Sequence, residues 1–105
     1  MPEGEIMEND SIKVQLAGFH DIDESAMDII NKTIANHSKK IARLAKDPGL
    51  LHITLKRVHE REKGEIYDIH VKLPDIGKVY VSHLTDRNLL VAVDKALEKI
   101  TNEMD

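Results

Sequence analysis

The sequence lacks cysteine altogether and contains three aromatic residues, and each shortage excludes a class of protein. Without cysteine, the chain has neither a disulfide framework nor a thiolate metal site. With Phe19, Tyr67 and Tyr80 as its aromatic residues, it has too few rings to stack successive nucleic-acid bases, as single-strand binding platforms do. No apolar run approaches the roughly 20 residues of a membrane span, so no membrane partner is expected. The acidic N-terminus lacks the features of a signal peptide, and we therefore expect a cytoplasmic protein.

Charge is distributed unevenly along the chain, so that a net charge of −4 hides a basic middle section. Residues 1–28 contain eight acidic residues and one lysine, whereas residues 29–64 contain nine lysines and arginines and three acidic residues. Residues 65–105 are again acidic, with eight acidic residues against five basic ones. A global argument for nucleic-acid binding therefore fails, while a local basic patch remains possible.

The first residues differ from the rest of the chain in having no hydrophobic period. Residues 1–11 (MPEGEIMENDS) are acidic, which predicts a flexible tail before a single domain over residues 12–105. Within this domain, alternation of apolar and polar residues predicts four strands. These lie at about residues 12–17, 51–58, 66–73 and 79–82.

Two longer segments have the period of amphipathic helices. The first extends from Asp23, which can cap it, to Lys46, where Asp47-Pro48-Gly49 stops it. The second begins near Thr85 or Asp86, either of which can cap it, and ends at about Met104.

This element order predicts an α+β fold, β-α-β-β-β-α. Both helices would cover one face of a four-stranded mixed sheet, with the first helix as the crossover between two parallel strands. The other sheet face would be open and polar. In the last strand, Val79 and Val81 are predicted to face the core, with Tyr80 and Ser82 on the open face.

The outer face of the first helix carries basic residues that we call the basic ridge. Its members are Lys32, Lys39, Lys40, Arg43 and Lys46. A helix ordinarily solvates its polar face, and basic residues near its C-terminus also complement the helix dipole. However, no acidic residue occurs between Asp28 and Asp47, so the ridge lacks the interleaved partners of a salt-bridged face. From the residues alone a solvated face remains the favoured interpretation, and phosphate contacts are the alternative that the missing acidic partners support.

A second basic group, which we call the hairpin cluster, lies along the second predicted strand and the hairpin tip after it. Its members are Lys56, Arg57, Arg61 and Lys63. Glu60 and Glu62 interrupt it, so a solvated hairpin and an RNA contact remain equally supported. The sequence also leaves open whether this cluster and the basic ridge form one surface.

The sequence predicts neither a catalytic nor a metal site. Its six histidines are not spaced as ligand pairs on one element, and no cysteine supports them. His37 lies on the apolar side of the first helix and is interpreted as a boundary residue. The chain has no glycine-rich phosphate loop and no recognisable nucleophile or acid/base set. We therefore expect no enzyme activity, no cofactor and no small-molecule substrate.

The segment Asn88-Leu89-Leu90-Val91-Ala92-Val93-Asp94-Lys95-Ala96-Leu97-Glu98-Lys99-Ile100 resembles the closing helix of the ribosome hibernation-promoting factors. These proteins are also called ribosome-associated inhibitors or sigma-54 modulation proteins. The shared pattern has an acidic or amide residue, small and aliphatic residues, Asp, and Lys before an aliphatic residue. Weaker similarity extends over about residues 12–104, and the predicted element order is that of the family.

The resemblance implies a domain that looks like the double-stranded RNA-binding fold, in a short form of these factors that lacks their C-terminal dimerisation domain. We expect the chain to be a monomer. Such proteins block translation from the tRNA and mRNA channel of the small ribosomal subunit, and they catalyse no reaction. In this chain, the RNA contacts would come from the basic ridge and the hairpin cluster, and the partner would be the small-subunit rRNA. One alternative is a protein-interaction or assembly module of the same fold that binds no RNA, and another is a generic binder of double-stranded RNA outside the ribosome.

Overall fold

The computed structural model describes the backbone of residues 5–9 and both backbone and side chains of residues 12–105. Five strands and two helices occur in these residues. They are β1 (Glu5–Asn9), β2 (Ile12–Ala17), α1 (Glu24–Leu44), β3 (Leu51–Glu60), β4 (Gly64–Asp75), β5 (Lys78–Asp86) and α2 (Leu89–Met104).

The strands form one mixed sheet in the order β1-β2-β3-β4-β5. The β2 and β3 strands are parallel and are connected by α1, whereas β3, β4 and β5 form an antiparallel meander. The predicted α+β fold, with its four strands β2 to β5 and its two helices, is confirmed. The antiparallel strand β1 adds a fifth strand at the edge beside β2.

The β1 strand falls within the segment that the sequence predicts to be a flexible tail. Its backbone pairs with β2 from Glu5, opposite Leu16, to Asn9, opposite Ile12. This segment has no alternation of apolar and polar residues that would signal a strand. It pairs nevertheless, because the edge of β2 offers unpaired backbone N–H and C=O groups. Residues 1–4, 10 and 11 lie outside the described residues.

The hydrophobic core lies between the helices and one face of the sheet. Both helices pack on this face and against each other. The predicted apolar stripes are buried, with Ile30, Ile34 and Ile41 from α1 and Leu97 and Ile100 from α2 fully enclosed. Within the described part of the chain, neither helix has the length and hydropathy to span a membrane.

The start of α1 agrees with the sequence prediction, but its end comes two residues earlier. Asp23 is the N-cap, and its carboxylate accepts a hydrogen bond from the backbone N–H of Ser25. At the other end, Ala45 adopts an extended conformation, so that Lys46 lies in the following loop. The reason is a tertiary contact, because the backbone N–H of Lys46 donates to the Asp75 carboxylate.

The α2 helix begins later than predicted. Thr85 and Asp86, the expected caps, belong to β5, where they pair with Asp68 and Tyr67 of β4. The N-cap is Asn88, whose side-chain oxygen accepts a hydrogen bond from Val91 N–H. The sequence shows several residues that can cap, but the length of the β4-β5 pairing decides which of them does.

The prediction of which β5 side chains face the core was wrong. The two-residue turn at Ile76 and Gly77 pairs Asp75 with Lys78, and the resulting register places Tyr80 opposite the buried Leu73. Directly opposite residues project to the same side of a sheet, so Tyr80 packs on the core. Ser82 also faces inward, and its hydroxyl donates to the Ala96 carbonyl of α2 at 2.8 Å. Val79 and Val81 are therefore exposed, at 49% and 60%.

The Asp75 carboxylate connects the β4-β5 turn to the loop after α1. It accepts hydrogen bonds from the backbone N–H groups of Asp47 at 2.7 Å, Ile76 at 2.8 Å and Lys46 at 3.1 Å. The hydrogen bond from Asp47 is the largest cause of a pKa below the ordinary value of this carboxyl group. The charged form of Asp75 is therefore favoured in the folded state.

This connection predicts an acid-dependent loss of stability. Because the folded pKa is depressed, the contribution of Asp75 is fully present above its ordinary pKa and is lost as the pH falls through the lower folded value. We expect Asp75→Asn to lower the free energy of unfolding at neutral pH, and the difference from wild type to shrink in acid. Urea unfolding from about pH 6 to about pH 2 measures this difference. A difference that stays constant over this range would contradict the assignment.

Candidate nucleic-acid interface

The α1 helix positions most of the basic ridge by its period alone. Ile34 and Ile41 are buried, so the side of the helix turned away from the core carries Lys32, Lys39 and Arg43, all exposed. From Lys32 to Arg43 the helix rises about 16 Å, at about 1.5 Å per residue. The cationic groups are thus attached to a rigid backbone of fixed spacing.

Two members of the basic ridge occupy different surroundings from the rest. Lys40 is half-buried at the border of the ridge, where it helps to line a shallow depression with Asn36, Lys39 and Arg43. Lys46 is exposed but lies beyond the helix end, so its position depends on the Asp75 contact and not on the helical period. The structure therefore places four of the five residues on α1 and the fifth beside its C-terminus.

No acidic side chain within 4.0 Å neutralises the basic ridge, as far as the side chains of residues 12–105 are concerned. The ion pairs found among these residues involve histidines and Arg87. The acidic residues of α1 occur near its start, where Glu24 lies in the first turn and Asp23 caps the helix. The Ser25 side chain, which donates to Asp23, holds the pKa of that carboxyl below its ordinary value. The helix therefore has an acidic beginning and a basic end.

The hairpin cluster lies at the opposite end of the domain from Lys46. Because α1 connects the parallel strands β2 and β3, it runs against them, and the end of β3 is near the start of α1. The long dimension of the domain is 45 Å. The hairpin cluster is therefore separated from the Lys46 end of the basic ridge.

The surroundings of the hairpin cluster are of mixed charge. All four of its side chains are exposed, but Arg57 lines a depression that also contains Asp21, Asp23, Glu65 and Asp86. Arg87 pairs with Glu60 at 2.5 Å and donates to the Lys63 carbonyl at 2.9 Å, which fixes the hairpin to the start of α2. This cluster is therefore less suited to phosphates than the basic ridge is.

The histidine on the apolar side of α1 has a structural partner. His37 Nε2 lies 2.8 Å from Asp94 Oδ1 of α2, and the His37 side chain is 17% exposed. This pair joins the two helices at the border of the core. The geometry agrees with the interpretation of His37 as a boundary residue.

A group that the sequence did not single out lies on the open face of the sheet. Asp68 and His70 of β4 lie next to His83 of β5, and their potential ligand atoms are all within 4.8 Å of one another. Searches for ligand pairs on one element miss this group because it crosses two strands. The available signal was the β4-β5 register, which the short turn at Gly77 determines and which places His83 opposite His70.

Two solved structures share this fold over most of their length. The N-terminal domain of Protein Y from Thermus thermophilus is 14% identical, with a TM-score of 0.61, over 92% of this chain and 96% of that one. A ribosomal subunit interface protein from Coxiella burnetii is 15% identical, with a TM-score of 0.57, over 87% of this chain and 91% of that one. No family model and no curated protein sequence matches the chain. At such identities the likeness establishes the fold, and function has to be argued from the site.

Proposed function

We propose that this chain binds the small ribosomal subunit through the basic ridge and silences translation while it occupies the RNA channel there. The resemblance of the closing helix implies this role, and the fold is shared with a protein whose name places it at the ribosomal subunit interface. The observation that carries the proposal is the set of basic side chains on and beside α1, none of which forms an ion pair within 4.0 Å with an acidic side chain of residues 12–105.

Electrostatics supports RNA as the partner despite the negative net charge. Phosphate binding responds to the charges within about one Debye length, roughly 8 Å at physiological salt, and not to the sum over the whole protein. Residues 29–64, with nine basic and three acidic residues, contain the whole ridge. Each lysine or arginine that contacts a phosphate releases counterions, which makes the binding strong at low salt and weak at high salt.

The shape of the ridge supports binding to the RNA backbone in preference to its bases. Lys39 and Arg43 are one helical turn apart, about 6 Å along the axis, and Lys32 lies about 10 Å from Lys39. Such a row can follow successive phosphates of a folded RNA surface, whose grooves display few base edges to a helix. The scarcity of aromatic residues agrees with this mode, because it excludes extensive base stacking.

Directed cleavage of rRNA tests which face of the domain meets the ribosome. Because the chain contains no cysteine, a single introduced cysteine can carry an iron chelate that generates hydroxyl radicals nearby. Asn36→Cys places the chelate within the ridge and leaves every basic side chain intact, whereas Thr85→Cys places it on the open sheet face. We expect strong cleavage of small-subunit rRNA from position 36 and weak cleavage from position 85. Stronger cleavage from position 85 would overturn the proposed orientation.

A further inference from the structure

The open face of the sheet contains two imidazoles and a carboxylate that β4 and β5 bring together. His70 and His83 are direct cross-strand partners, and Asp68 lies two residues before His70 on the same side of β4. Helices cover the opposite face of the sheet, so this group is independent of the core and of the basic ridge. Neither the fold nor the proposed RNA contact accounts for it.

The three side chains already contact one another. The His83 Nε2 atom is hydrogen-bonded to Asp68 Oδ1, and His70 Nε2 lies 3.4 Å from Asp68 Oδ2. The two imidazole rings are stacked, with centroids 4.1 Å apart and planes inclined by 11°. Both Nε2 atoms therefore lie on the side of the rings where the carboxylate is, and all three side chains offer a ligand atom to one small volume.

We propose that Asp68, His70 and His83 bind a divalent first-row transition metal ion, for which Zn²⁺ is the natural probe. Two imidazole nitrogens and one carboxylate oxygen are a ligand set that zinc accepts, at bond lengths of about 2.0 to 2.2 Å. Two ligand atoms of a tetrahedral ion are then about 3.4 Å apart. The potential ligand atoms of this group already lie within 4.8 Å of one another, so small rotations of the side chains suffice to bring them to this spacing.

The exposure of the side chains allows this convergence. The side chains of His70 and His83 are 46% and 55% exposed, so their rings can rotate without disturbing the core, whereas Asp68, at 18%, is held more firmly. Lys56 is opposite Asp68 on β3, but among the described side chains no ion pair within 4.0 Å joins the two. The carboxylate is thus directed to the imidazoles, and a metal ion would bind through the unprotonated Nε2 atoms of the two rings.

The remaining coordination positions of such an ion would face solvent. His52 lines the same depression on the open face but is not one of the three residues whose ligand atoms converge. The site therefore has three protein ligands and at least one position for water or for a donor from another molecule. This inference does not depend on ribosome binding, because the ligands lie on the open face and not on the helix ridge.

Calorimetric titration of the chelator-treated protein with Zn²⁺ tests the site. We expect one ion per chain for the wild type, and at least about tenfold weaker binding for each of Asp68→Asn, His70→Gln and His83→Gln. The controls are His52→Gln on the same face and His20→Gln, which is highly exposed elsewhere, and both should bind Zn²⁺ like the wild type. Circular dichroism of each variant checks that the fold is retained.

Two results would overturn the assignment. One is wild-type binding that is no tighter than that of His83→Gln, which would leave the three side chains as a hydrogen-bonded group without a metal. The other is an equal loss in His52→Gln or His20→Gln, which would indicate diffuse binding to surface histidines. Because three separate variants are compared, failure of one of them to fold does not prevent the test.

Discussion

Replacement of Gly18 by alanine is expected to destabilise the domain by more than about 3 kcal/mol. Gly18 directly follows β2 and has a φ of +87°, a conformation that residues with a side chain rarely adopt. A Cβ atom at this position would also lie 2.1 Å from the backbone oxygen of Leu55. The β2-β3 pairing extends to Ala17 opposite Thr54, the residues just before Gly18 and Leu55, so relief of the clash requires these two strands to move apart. Urea unfolding followed by circular dichroism measures the loss.

Gly77→Ala is the matched control for this prediction. Gly77 has a φ of +70°, but a Cβ atom there would meet nothing within 4 Å. The free energy of unfolding of this variant should therefore fall only by the cost of the left-handed conformation, about 1 kcal/mol. Equal losses for Gly18→Ala and Gly77→Ala would mean that the close approach to Leu55 does not limit this position.

The double variant Lys39→Glu/Arg43→Glu is expected to bind the small ribosomal subunit roughly 100-fold more weakly than the wild type at moderate salt. The two residues are adjacent on the exposed side of α1, so the change replaces the centre of the ridge with repulsive charge. The salt dependence should also become shallower, by about one unit of logarithmic slope for each lost phosphate contact. Inhibition of translation in a reconstituted system should decrease in parallel.

A charge-matched control separates the position of the charge from its amount. Lys13→Glu/Lys72→Glu changes the net charge equally, but both residues are exposed on the open sheet face. We expect this variant to lose at most about threefold in affinity, because screening weakens charges that are remote from the contact. Equal losses of affinity in the two double variants would mean that overall charge, and not the basic ridge, determines binding.

The sequence predicts the elements of this fold well because their signals are local. The period of α1 identifies its buried isoleucines, the Asp23 cap marks its start, and Gly77 marks a turn, all from residues close together in the chain. The basic side of α1 follows from the same period. Its proposed role, however, requires a partner, and no pattern within one chain contains that information.

Errors arise where distant residues decide the structure. The faces of β5 depend on its register with β4, and a two-residue turn reverses the assignment that the Val79 and Val81 pattern favours. The Asp75 contact likewise ends α1 before Lys46. The group of Asp68, His70 and His83 could not be found by ligand spacing because it forms only when two strands pair. Each of these results depends on tertiary pairing.

Co-sedimentation with purified small ribosomal subunits at about 50 mM and about 200 mM salt tests the central claim most directly. For the wild type we predict binding that is clear at the lower salt and much weaker at the higher one. Lys39→Glu/Arg43→Glu should bind much more weakly than the wild type under both conditions, while Lys13→Glu/Lys72→Glu should bind nearly as well as the wild type. Absence of wild-type binding at low salt, or binding that neither salt nor the Lys39 and Arg43 changes affect, would contradict the proposed function.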